Sequence, residues 1–257
     1  MLVPVLIALI QPTTPTAPAA PKAVALHPVI TEVLYAVPKE GDADQDGTRS
    51  ATGDEFIELV NPHDKPINLK GYMLADGKSP AQAKQEKAAK PAESGSTPDV
   101  KGKPKKEATG HRPEASRVRF TFPELTLQPG EVVVVFNGYE SHTPGPVGDA
   151  KQAAAKNDKF SNAYVFSMRC TSQYMALANA GDCVLLTDPE GNAVESVTWG
   201  DSDKKPEKAA TVTHKAPESR GSVQRTSISG EFVVHQDLPT PYGGTPWSPG
   251  KFELPKK

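Results

Sequence analysis

The chain has 257 residues, 37% of them hydrophobic and 6% aromatic, with 26 prolines, so its length suits one or two domains and its core is modest for that length. Its 29 basic and 31 acidic residues leave a formal charge of −2, which excludes a strongly basic nucleic-acid binder and an acidic solvating chain. Two cysteines are too few for a disulfide-dense scaffold or a four-cysteine zinc site.

In chain order, Met1 to Ile10 reads MLVPVLIALI, without a charged or strongly polar residue. That run fits the apolar core of a secretory signal and is too short to cross a bilayer. Ala17-Pro18-Ala19 and Ala23-Val24-Ala25 offer small-residue spacing for a signal peptidase, so residues 1–23 are expected to be a signal peptide. No later run approaches the roughly 18 apolar residues of a membrane-spanning helix, so the mature chain is expected to carry none.

Short segments rich in Val, Ile, Phe and Thr follow at 29–35, 55–60, 67–75, 118–122, 131–136, 183–187, 193–199 and 222–226. These residue types suit a pleated, half-buried surface. Val118, Phe120 and Phe122 alternate with Arg119 and Thr121, which predicts one buried and one wet face. Val132 to Phe136 is continuously apolar, as in a strand covered on both faces. Asp188-Pro189-Glu190-Gly191-Asn192 reads as a hairpin turn, and Pro129-Gly130 as the centre of a type II turn. No segment carries a helical period. Many short strands without helices predict an antiparallel β-sandwich.

Between the strands lie polar stretches. Residues 78–116 hold nine basic and five acidic residues, and Val100 is their one aliphatic residue larger than Ala. Burial cannot offset the ordering entropy of such a composition, so this is expected to be a disordered insertion. Residues 138–158 and 201–220 are expected to be shorter insertions of the same kind. Closure entropy grows only logarithmically with loop length, so a sandwich over 26–252 tolerates all three.

The ordered pieces, taken in order, carry a resemblance. They are Ile30-Thr31-Glu32-Val33-Leu34-Tyr35, then Gly53-Asp54-Glu55-Phe56-Ile57-Glu58-Leu59-Val60-Asn61, then Ile67-Asn68-Leu69-Lys70-Gly71-Tyr72-Met73-Leu74-Ala75-Asp76. Leu127-Gln128-Pro129-Gly130, Asp182-Cys183-Val184-Leu185-Leu186, Ser222-Val223-Gln224-Arg225 and Ser248-Pro249-Gly250 follow. Together they resemble the lamin tail domain family in its exported bacterial form. The resemblance implies an immunoglobulin-like β-sandwich and a non-catalytic module used for binding, tethering or scaffolding. Glu32 and Glu58 sit inside strands and need a charged partner or water, and Arg225 is one candidate.

The sharpest chemical signal is Asp42-Ala43-Asp44-Gln45-Asp46-Gly47-Thr48. Calcium takes six to eight oxygen ligands, and alternate residues of a tight loop converge on one point. Asp42, Asp44, Asp46 and the Thr48 carbonyl are the candidate ligands, with Asp54 as the closing acid. An EF-hand would place that acid where Gly53 stands, so helical EF-hand geometry is not expected. A solvated acidic turn is the alternative. Calcium, if bound, is expected at about 10⁻⁴–10⁻³ M, as in extracellular modules.

Cys170 and Cys183 are expected to pair if the chain is exported, for roughly 3 kcal/mol; two buried thiols are the alternative. The six histidines form no HExxH or HxH pattern, and neither a GxSxG elbow nor a phosphate loop is present. No catalytic residue is therefore nominated. The expected role is a non-enzymatic module, secreted, periplasmic or in the cell envelope of a bacterium, whose partner is an envelope component, polysaccharide or protein rather than nucleic acid. The alternatives are a calcium-dependent carbohydrate or envelope adhesin, and an accessory component of a metal-dependent hydrolase or nuclease.

Overall fold

The computed structural model describes residues 26–77, 118–200, 202, 210–214, 220–239 and 245–253. The expected leader 1–23, the insertion 78–116 and most of 201–220 lie outside these residues. Fourteen strands run as β1 (Val29–Leu34), β2 (Phe56–Val60), β3 (Ile67–Asn68), β4 (Met73–Asp76), β5 (Arg119–Thr121), β6 (Thr126–Leu127) and β7 (Val132–Phe136), then β8 (Lys156–Asn157), β9 (Ala163–Ser167), β10 (Gly181–Thr187), β11 (Ala193–Gly200), β12 (Ala210–His214), β13 (Val223–Arg225) and β14 (Phe232–Val234). They form a seven-stranded sheet, β14-β13-β1-β2-β7-β9-β8, and a five-stranded sheet, β12-β11-β10-β4-β5; β3 and β6 make a separate ribbon. The two large sheets build an immunoglobulin-like β-sandwich, and the helical structure among the described residues is limited to 3-10 turns.

Side-chain alternation assigns each strand its faces. Val133 and Val135 of β7 join Ile57, Leu59 and Phe166 in the core between the sheets, opposite Leu74, Phe120, Val184, Leu186 and Val197. Val132, Val134 and Phe136 point the other way into a second apolar cluster with Leu34, Phe56, Val60, Phe160, Val165 and Phe252. The continuous apolar run of β7 follows from this double covering. Between the sheets Tyr35 stacks on Trp199 at 4.2 Å, and Phe120, Phe122 and Phe166 meet at 5.0–5.8 Å. Aromatic groups in such geometry add to simple area burial.

Several expectations are corrected. The segment 67–75 is not one strand: a turn closed by Tyr72 N–H on Leu69 C=O divides it, and its halves enter different sheets. Not every pairing is antiparallel, since β7 and β9 run parallel, as do β11 and β12. Strand β12 falls within the expected insertion 201–220. The stretch 138–158 is built into the fold. Gly148 bridges β9, donating to Val165 C=O and accepting from Ser167 N–H, both at 2.9 Å. Buried Asn157 donates to the carbonyls of Pro144 and Pro146 at 2.8 and 3.2 Å. Backbone pairing by Gly148 and the Asn157 side chain order this segment, with Val147 and Ala154 packing against the two apolar clusters. The type II turn at Pro129-Gly130 forms as expected, with Glu131 N–H on Gln128 C=O at 3.0 Å and Gly130 at φ +77°.

Candidate functional site

The acidic loop lies between β1 and β2. Gln45 at φ +61° and Gly47 at φ +87° coil its backbone so that alternate side chains turn to one side. Oxygens of Asp42, Asp44 and Asp46 gather within 4.8 Å of one another. Ligands of a calcium ion bound at about 2.4 Å lie at most about 5 Å apart, so this spacing fits one shared cation. Backbone donors hold the carboxylates in place: Asp46 N–H reaches Asp42 Oδ1 and Asp44 Oδ1, and Gly47 N–H reaches Asp42 Oδ2, all at 3.1 Å.

Asp54 does not join that cluster. Its Oδ1 accepts from Ala43 N–H at 2.6 Å and Asp44 N–H at 3.1 Å, and its Oδ2 accepts from Ser50 N–H at 2.6 Å. It braces the loop from behind. Burial pushes its carboxyl up to about 6 against the opposing pull of the Ser50 N–H. Burial raises Asp44 as well, opposed first by the Ser141 hydroxyl. Thr48 is exposed at the loop exit, its N–H on Asp46 Oδ1 at 2.8 Å.

A third segment completes the site and was not singled out from sequence. Ser141 and Thr143 donate their hydroxyls to Asp44 Oδ2, and His142 N–H donates to Asp46 Oδ2 at 2.8 Å. These residues fall in the stretch read as an insertion, and nothing in their spacing marks them. The neighbouring loop 171–177 is tied in by Thr52 Oγ1 on Gln173 C=O at 3.2 Å. It presents Tyr174, 69% exposed.

Cys170 and Cys183 are both buried, and no disulfide joins them in this structure. Cys183 Sγ lies 3.9 Å from Gly77 C=O. Burial, with Glu55 and Asp76 nearby, pushes the Cys170 thiol up to about 12.

Arg225 does not serve Glu32 or Glu58. It forms a buried ion pair with Glu195 of the other sheet. The reason lies in β1, where the register to β2 shifts between Ile30 and Glu32. Such a bulge leaves backbone groups outside the ladder. Ile30 N–H donates to Glu195 Oε2, and Arg225 Nε donates to Ile30 C=O, both at 2.7 Å. The bulge also reverses side-chain phase. Ile30 and Val33 both enter the inter-sheet core, while Glu32 and Leu34 turn to the outer face.

Among the described residues no helix is long and apolar enough to cross a membrane. No curated protein matches the chain. Among solved structures, a DUF4876 family protein from Bacteroides thetaiotaomicron is 13% identical at a TM-score of 0.33, covering 83% of this chain and 67% of that one. The model of the lamin tail domain family, a non-enzymatic immunoglobulin-like domain type, matches residues 21–201. That match spans well over half of the sequence, and the sandwich has the fold it calls for: the chain belongs to the lamin tail domain family.

Proposed function

We propose that this protein is a non-catalytic extracytoplasmic binding or structural module, and that calcium occupies the Asp42–Asp44–Asp46 loop and stiffens the recognition end of the sandwich. The observation that carries the reading is the convergence of three carboxylates within 4.8 Å, held by backbone donors from their own loop and by a second segment. Carboxylates so crowded repel one another, and a divalent cation removes that cost. Loops at the end of a sandwich are where such folds place recognition. An exposed aromatic beside an acidic loop suits a polysaccharide or protein of the cell envelope, and Tyr174 supplies that aromatic.

The test is a thermal melt in calcium and then in chelator. Calcium at about ten times its Kd adds roughly 1.4 kcal/mol to the folded state, and a midpoint unmoved across millimolar calcium removes the ion from this reading. Retention of the immobilised protein on peptidoglycan or polysaccharide, with and without chelator, tests the partner. Turnover of phosphoesters with added metal would instead favour the accessory role in a hydrolase or nuclease.

A further inference from the structure

Glu32 and Glu58 stand directly opposite each other on β1 and β2, and neither has any solvent exposure. Among the described residues neither makes an ion pair. Every contact they make is to a neutral donor. From their own sheet, Thr31 Oγ1 donates to Glu58 Oε1 at 2.7 Å and Ser222 Oγ donates to Glu32 Oε1.

The remaining donors come from residues 245–253, which cross the outer face of the seven-stranded sheet. Ser248 N–H reaches Glu32 Oε1 at 3.0 Å, Gly250 N–H reaches Glu58 Oε2 at 2.8 Å, and the Lys251 N–H also serves Glu58. Ser248-Pro249-Gly250-Lys251 is a turn, closed by Lys251 N–H on Ser248 C=O at 3.0 Å. Gly250 is required in it: its φ is +89°, and a Cβ there would meet Phe160 C=O at 2.3 Å.

The other charged or titratable groups around the pair are accounted for. On β13, Gln224 is neutral and Arg225 is committed to Glu195. On the 3-10 turn after β14, His235 is buried and its Nδ1 lies 2.8 Å from Thr245 C=O. That carbonyl makes Nδ1 the donor, so in the neutral ring Nε2 accepts from Ser248 Oγ at 2.8 Å, and burial shifts the ring toward that neutral form. The Lys251 residue is exposed. On β7 the neighbouring side chains of this face are Val132, Val134 and Phe136. Burial, and for Glu58 the charge of Glu32 as well, lifts both carboxyls far above the ordinary range, Glu32 to about 7 and Glu58 to about 8.

We propose that residues 245–253 form a pH-governed strap: a proton retained by the Glu32–Glu58 pair holds the strap down, and its loss as pH rises lifts the strap and opens the outer apolar face. Two ionised carboxylates facing each other without a cation cannot stay buried, whereas a lifted strap admits water to both. The sign follows from linkage. The docked state binds the proton more tightly than the open state, so docking is strongest below the ordinary carboxylate range and weakens as pH climbs to about 8. The glutamate pair lies within the residues matched by the family model and the strap beyond them.

The experiment is hydrogen exchange of the full chain from pH 5 to pH 9, corrected for intrinsic rates. The expected result is that protection of the Ser248 and Gly250 amides falls about tenfold per pH unit for each retained proton between pH 5 and pH 7, up to about a hundredfold where both carboxyls hold one, and levels off above pH 8, while core amides such as Leu185 keep theirs. In E58Q the fall should shrink or vanish. Constant protection at Gly250, a parallel loss at Leu185, or an undiminished slope in E58Q overturns the proposal. Should E58Q fail to fold, carbon-13 titration of the two carboxyls in the unaltered protein decides: midpoints near 4.5 sink it, and midpoints raised toward 7–8 support it.

Discussion

Two regions of this molecule gather carboxylates, and they solve the same problem in opposite ways. In the loop between β1 and β2, half-buried Asp42 and Asp46 and buried Asp44 turn oxygens toward one point. On the outer face of the seven-stranded sheet, Glu32 and Glu58 are sealed under residues 245–253 and meet only neutral donors. On the readings proposed above, the first arrangement takes a metal and the second a proton. What separates them is the water access of Asp42 and Asp46, which neither glutamate has, because a charge without solvent must be neutralised or paired. Glu195 shows the third answer, a buried guanidinium.

Several experiments would break or sharpen this contrast. The largest effect is expected at Arg225. If neutral donors sufficed for any buried acid, as they do for Glu32, Arg225→Met would be tolerated. Instead it should cost about 3–5 kcal/mol in urea unfolding, because Glu195 and the Ile30 carbonyl lose their partner together. The double variant with Glu195→Leu should recover part of that loss, leaving the unsatisfied Ile30 backbone at about 1–3 kcal/mol.

Next comes Gly250→Ala, expected to cost about 2–4 kcal/mol through positive φ and the clash with Phe160 C=O. Loss of strap protection ahead of core protection would place that cost at the outer face. For the glutamates, stability should fall by up to about 1.4 kcal/mol per pH unit for each retained proton between the ordinary carboxylate range and pH 8. Glu32→Gln should flatten that slope. In the acidic loop, Asp44→Asn should abolish the shift in melting midpoint that calcium produces, itself worth about 1–3 kcal/mol at ten to a hundred times Kd. The smallest effect on stability is expected from Tyr174→Ala, within about 0.5 kcal/mol, while retention on envelope material drops.

Strand identity was readable wherever burial imposes a pattern. The alternation at 118–122 and the apolar run at 132–136 predicted their faces correctly, because covering one or both sides of a strand constrains residue type directly. Strand β9, Ala163–Ser167, carried a comparable apolar run and was passed over beside a stretch that looked unstructured. That stretch is ordered mainly by the Asn157 side chain and the Gly148 backbone, polar contacts that leave no hydrophobic pattern, with only Val147 and Ala154 packing on the apolar clusters.

For the site, the alternate aspartates were legible because their convergence is local. The brace supplied by Asp54 was visible as an acid but not as a backbone acceptor. Ser141 and Thr143 were not visible at all, since their contact with Asp44 spans 97 and 99 residues. Arg225 failed as a partner for Glu32 for the same kind of reason. The bulge at Ile30, invisible in composition, decides which side of β1 each residue faces.

The donors of residues 245–253 also bear on the order of assembly. Ser248 meets Glu32 across 216 positions of sequence, so during synthesis the first strand waits for nearly the whole polypeptide before its acid is covered. Contacts this distant are costly to close and slow to form. A nascent chain halted before residue 245 would leave the apolar cluster around Phe56, Val134 and Phe136 without Trp247 and Phe252, a weak point for chaperones or neighbouring copies to engage.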